Sequence, residues 1–167
     1  MKRKIGERGF TLVELIVGIS IAVFVTGAAS MTIITMMRLS PRTNDLAVSL
    51  RQVQDAGYWI TQDVQMSQGE IIVGDKNPVF LTLNEPQTPT ENITVVYQFQ
   101  AMPDNVRRLI RDNQTLGQQL LVAEYISPAT TVASYNSDNS TLIFTITAVS
   151  GDMPVNRQYK AAQRIPQ

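Results

Sequence analysis

The sequence predicts an α+β protein: one long N-terminal helix, apolar in its first half and amphipathic in its second, packed on an antiparallel β-sheet. Three observations carry this prediction. Leu15 to Met37 are 23 consecutive residues without a charge. Leu46, Leu50, Val53, Gly57, Ile60 and Val64 then recur at steps of four and three, the spacing of one helix face. Beyond Gly69 the period changes to two, and the strand-like runs are separated by short turn signals. Helix first and strands afterwards is the order of an α+β domain rather than of an alternating α/β one.

The elements follow in chain order. Met1 to Gly9 form a short leader in which Lys2, Arg3, Lys4 and Arg8 outweigh Glu7. The uncharged run after it measures about 35 Å as a helix, enough to cross a bilayer core of about 30 Å. The positive leader predicts that the N-terminus stays in the cytoplasm and the remainder faces outward. Glu14 lies at the cytoplasmic end of this run, and a carboxylate there is costly enough to suggest a function. Pro41 predicts a kink near Met37 to Pro41, with Thr43 capping a restarted helix. In that second stretch Asp45, Gln52, Asp55, Gln62 and Asp63 fall largely off the apolar stripe. The helix is expected to end by Gly69.

Ile71–Val73, Val79–Leu83 and Ile93–Phe99 read as strands, with Ile93, Val95, Tyr97 and Phe99 on one face of the last. Glu85 to Asn92, with Pro86 and Pro89, reads as a loop. Met102–Asn105 reads as a turn, with Val106–Arg111 returning as a strand. Gln119 to Tyr125 suits a strand or a short helix. Thr130–Tyr135 and Thr141–Val149 flank a turn at Ser137–Ser140. Val155 to Ile165 reads as a last strand. The division is therefore 1–9 leader, 10–40 membrane helix, 41–68 amphipathic helix and 69–167 β domain.

Composition narrows the chemistry. The chain of 167 residues contains no Cys and no His, so it offers neither disulfides nor the commonest acid–base residue and metal ligand. Without the leader, ten Lys and Arg face thirteen Asp and Glu, which gives no basic field for nucleic acid. No calcium loop, phosphate loop, dinucleotide fingerprint or nucleophile elbow occurs. No enzyme activity, cofactor or metal is expected.

The basic leader, the Gly9-Phe10 junction, Glu14 and the apolar run resemble the processing signal of type IV pilins and pseudopilins. That resemblance implies a pilin-like fold, cleavage after Gly9 by a prepilin peptidase, and methylation of the new amino terminus at Phe10. It implies that Glu14 is the assembly carboxylate, paired with the amine of a neighbouring subunit. The partners it implies are the peptidase, other pilin or pseudopilin subunits and an inner-membrane assembly platform. The β region is most similar to J-type minor pseudopilins of type II secretion, on the order of its hairpins, Arg107-Arg108-Leu109-Ile110-Arg111, and a basic last strand with Arg157, Lys160 and Arg164. Major pilins often carry a C-terminal disulfide and a proline deeper in the membrane helix; this chain has neither, which points to a minor subunit.

Two other features are singled out. Glu14, Gly18, Ala22, Thr26 and Ser30 recur every four residues as a row of small side chains, suited to close approach of membrane helices. Arg107 and Arg111 alternate with Arg108, so the three are expected on two faces of a strand rather than in one cluster. Two alternatives remain open. One is a conventionally anchored or secreted binding domain, cut near Gly27-Ala28-Ala29-Ser30. The other is a minor pilin of a competence system for DNA uptake.

Overall fold

The computed structural model describes residues 9–68, 71–76, 78–88, 91–103 and 105–164, with backbone alone at 85–88 and 91–92. The leader up to Arg8, Gly69, Pro89, Asp104 and Ile165 lie outside the described residues. Among the described residues one helix, α1 (Leu12–Met66), is followed by eight strands. The architecture is the α+β one expected, a long N-terminal helix followed by an antiparallel sheet. The chain divides into two compact units, Met1–Pro41 and Arg42–Gln167.

The first unit is helical from Leu12, and every residue from Gly9 to Asn44 is exposed. The helix contains Pro41 without interruption, so Thr43 does not start a new one. A proline removes a single N–H, and the bonds of the adjoining turns carry the helix across it.

The second unit holds the sheet. Its strands are β1 (Ile72–Val73), β2 (Val79–Thr88), β3 (Glu91–Ala101), β4 (Arg107–Asn113), β5 (Gln118–Ile126), β6 (Val132–Asn136), β7 (Thr141–Ser150) and β8 (Met153–Ala162). All pairings are antiparallel, running β1-β2-β3-β4-β5-β7, with β6 and β8 also on β7. Thr141–Thr145 pair with both β6 and β8, and Ala148 pairs with both Ile126 and Val155. Hence β5 and β6 follow one another along one side of β7, and β8 occupies the other.

Two expectations are corrected and one open reading is resolved. Glu85–Thr88 and Glu91–Asn92 are strand rather than loop: β2 and β3 extend as a hairpin in which Pro86 pairs with Asn92. Strand β1 covers only Leu81 and Thr82, so β2 is an edge at Pro86, where a missing N–H is tolerated. Gln119–Tyr125 is strand rather than helix. Two bulges bend it against β4, and Tyr125 adopts a left-handed φ of 58° there. The core face of α1 is also shifted. Its buried residues are Ser49, Val53, Ala56, Gly57, Ile60, Asp63 and Val64, whereas Leu46 and Leu50 are exposed.

Helix and sheet are joined by apolar packing and by a line of polar bonds. Val53, Ala56, Ile60 and Val64 pack with Phe80, Leu83, Val95, Phe99, Leu109, Leu142, Phe144 and Ile146 in one core. Ser49 Oγ donates to the Met153 carbonyl and accepts the Ser150 N–H, both at 2.9 Å. Gln52 Oε1 accepts the Glu124 N–H at 2.6 Å, supplying a partner where β5 has left β7. Tyr159 lies flat on the helix at Gly57 and donates to the Val53 carbonyl at 3.0 Å. A Cβ at position 57 would fall 2.1 Å from Cζ of that ring, so the close approach requires glycine.

Candidate functional site

The N-terminal site is built on the first turn of α1. Thr11 stands before Leu12 as the N-cap, and its Oγ1 accepts the Glu14 N–H at 3.3 Å. Glu14 Oε2 in return accepts the Thr11 N–H at 3.3 Å and the Thr11 hydroxyl at 3.2 Å. This reciprocal capping box satisfies donors that a helix start leaves open, and it places the carboxylate at the positive end of the helix dipole. Sequence reasoning singled out Glu14 and missed Thr11. The signal was there, since Thr11-Leu12-Val13-Glu14 is the Thr-x-x-Glu pattern of a capping box.

Phe10 is 84% exposed, and with Gly9, Thr11 and Glu14 it lines an open hollow of about 470 Å³. Apart from its chain neighbours, no described atom lies within 4 Å of where a Cβ on Gly9 would stand. Packing thus makes no demand for glycine at position 9, unlike position 57. The same open space surrounds Gly18.

Gly18, Ala22, Thr26 and Ser30 all lie on exposed helix. The hydroxyls of Thr26 and Ser30 donate to the carbonyls of Ala22 and Thr26, each at 2.8 Å. Ser20, Thr32 and Thr35 bond back in the same way to Ile16, Ala28 and Met31. Hydroxyl donors used up inside the helix leave a surface of methyl and methylene groups, compatible with lipid or with another apolar helix. Helix α1 is the one described helix long and apolar enough to cross a membrane.

A second constellation lies in the β unit. Asp63, on the helix and fully buried, accepts the Tyr97 hydroxyl at 2.5 Å and a forked pair of bonds from Arg111, Nε at 2.6 Å and Nη2 at 3.2 Å. The Arg111 guanidinium also stands over the Trp59 ring at 5.9 Å. Burial first, and then the Asp63 carboxylate, push the Tyr97 hydroxyl well above its ordinary pKa. Arg108, on the opposite face of β4, pairs with Glu124 at 2.9 Å. The arginines are therefore divided between two faces, as their alternation predicts. Arg111 is committed to holding the helix in one rotational setting on the sheet. Sequence reasoning placed Asp63 off the core face; its partner lies 48 residues away, and no local pattern announces the pair.

Among the described residues no group of three His, Cys, Asp or Glu is placed to hold a metal ion. Residues 5–30 match the family model described as the prokaryotic N-terminal methylation motif. The match spans Gly9, Phe10, Thr11 and Glu14 and ends within the apolar stretch of α1. No curated protein and no solved structure matches the chain.

Proposed function

We propose that this chain, which carries a prepilin-like N-terminal motif, is a minor pseudopilin or minor pilin: a structural subunit, not an enzyme. The observation that carries the reading is the methylation motif over residues 5–30, placed on a helix start with an exposed Gly9-Phe10 junction. Prepilin peptidase cuts after Gly9, where no side chain obstructs approach to the backbone, and Phe10 becomes the methylated N-terminus. The leader keeps that end in the cytoplasm, α1 anchors the chain in a single pass, and the β unit faces outward.

Glu14 then pairs with the amine of a neighbouring subunit. In lipid an unpaired carboxylate is costly, so pairing favours one axial register while the apolar helices bundle. The capping box supports this order of events. Thr11 holds the carboxylate in the first turn until a cationic partner arrives, and Gly18, Ala22, Thr26 and Ser30 allow neighbouring helices to approach. The other partners are further subunits and an inner-membrane assembly platform. The place in the filament is just beneath the tip of a type II secretion pseudopilus or type IV pilus.

The mass of the mature N-terminus tests the reading directly. A methylated Phe10 is expected, lost in Gly9→Val, whereas a chain beginning at Met31 or retaining Met1 refutes it. Glu14→Leu is expected to be cut and inserted as usual but to lose cross-links to partner subunits. Long fibres built from this chain alone would move it from a minor to a shaft position.

A further inference from the structure

Among the described residues the sheet ends at β8, beyond β7. Helix α1 and β8 run alongside one another in the same direction. Ser49 bonds to Met153, Val53 and Gly57 meet Tyr159, and Ser67 Oγ accepts from Gln163 Nε2 at 3.0 Å. At 100° per residue, Leu46 and Leu50 lie within about 20° of Gly57 around the helix, in the sector that faces β8. They belong to the apolar stripe by spacing, yet they remain 43% and 41% exposed. Nothing in the described sheet extends far enough to cover them.

The far side of β8 has the groups needed to continue the sheet. Gln163 N–H bonds to the Ser140 carbonyl, and the register pairs Thr141 with Ala162 and Ser150 with Met153. Alternation then turns the amides of Met153, Val155, Arg157, Tyr159 and Ala161 toward β7, and those of Asn156, Gln158, Lys160 and Ala162 outward. Pro154 falls in the outward set, where a missing N–H is tolerated. Among the described residues β8 pairs with β7 alone. By contrast, where β5 leaves β7 the freed Glu124 N–H is taken by Gln52.

Charge selects the occupant. Arg157, Lys160 and Arg164 are exposed along this edge, and Met153–Arg164 contain no Asp or Glu. A second β8 from another copy would set these cations against their own kind. We propose that β8 is an acceptor edge for one extended segment of a different subunit, alternating apolar residues with Asp or Glu. The segment pairs with the outward amides, places its carboxylates on the face of Lys160, and lays its apolar side chains on the opposite face, over Leu46 and Leu50. The proposal rests on the reading of the chain as a filament subunit.

The test introduces p-benzoylphenylalanine in place of Gln158 in the full chain, in cells that assemble the filament, and identifies the photo-cross-linked peptide by mass spectrometry. The expected product joins Gln158's position to an acidic segment of another subunit. A product with β8 of a second copy, a product with a segment lacking Asp and Glu, or no product from filaments that contain the chain overturns the proposal. Reversing charge with Lys160→Glu is expected to lower the yield about fivefold, and an unchanged yield counts against an acidic occupant. Asn156→Pro removes one outward N–H and is expected to lower it about tenfold. If that variant does not fold, hydrogen exchange on the unaltered chain decides. The amides of Asn156, Gln158 and Lys160 must exchange more slowly in the filament than in the detergent-solubilised chain, and equal rates refute the edge. A chain left uncut at Gly9 and unassembled refutes the filament reading itself, whereas a cut, assembled chain with a free β8 edge refutes this proposal alone.

Discussion

The two stretches of α1, before and after Pro41, are the same secondary structure with opposite uses for their polar atoms. In the first, the hydroxyls of Ser20, Thr26, Ser30, Thr32 and Thr35 turn back to carbonyls one turn earlier. In the second, Ser49, Gln52 and Asp63 reach outward to the sheet or accept from it. A helix facing an apolar environment must satisfy its hydroxyls internally, because no other partner is offered. A helix facing a sheet can use the same groups to fix its position. The side chains differ little in kind; what differs is the surface each stretch has to meet.

The sharpest way to break the second pattern is Asp63→Ala, which leaves Arg111 and the Tyr97 hydroxyl without their shared acceptor. A loss of about 3–5 kcal/mol in unfolding free energy of the β unit is expected by denaturant titration. Replacing the pair together, as Asp63→Leu with Arg111→Met, is expected to recover much of it; equal loss in both variants would show that the charge pair is not the cause. Gly57→Ala drives a Cβ into the Tyr159 ring and is expected to cost about 1–3 kcal/mol. In a Tyr159→Ala background that penalty should largely vanish, and its persistence would assign the cost elsewhere.

Ser49→Ala removes one donor and one acceptor and is expected to cost about 1–2 kcal/mol. The matched change Thr26→Ala, in the first stretch, should leave unfolding of the β unit unaltered. A comparable loss from Thr26→Ala would erase the distinction between the stretches. The smallest effect is that of pH. Tyr97 gives up its proton less readily folded than unfolded. The stability linked to it is therefore complete below pH about 10, the unfolded tyrosine value, and falls as pH rises beyond it. The slope is at most about 1.4 kcal/mol per pH unit for this group, and Tyr97→Phe should remove it from an alkaline denaturation series.

Much of this was readable in the residues. The uncharged run, the period-two strands and the turn at Ser137–Ser140 are local patterns, and the elements follow them. The match over residues 5–30 was readable because such a motif is a linear string. Other features depended on distant partners. Leu46 and Leu50 continue the stripe by spacing, but only the position of β8 leaves them uncovered. Pro86 and Pro89 suggested a loop, because a sequence does not state that the neighbouring strand covers two residues. Asp63 looked like a solvated carboxylate on a polar face until Arg111 and Tyr97 were brought over it.

The polar bonds between α1 and the sheet also determine how the β unit bears load. They are spaced from Ser49 through Gln52, Val53 and Asp63 to Ser67, nearly the whole length of the helix within that unit. A pull along the helix axis therefore shears them side by side instead of peeling them apart in turn. No single bond sits at the front of a tear, and the tension is shared by five anchoring points and the apolar core between them. The β unit is in this way held to its own stretch of helix along a seam rather than at one point.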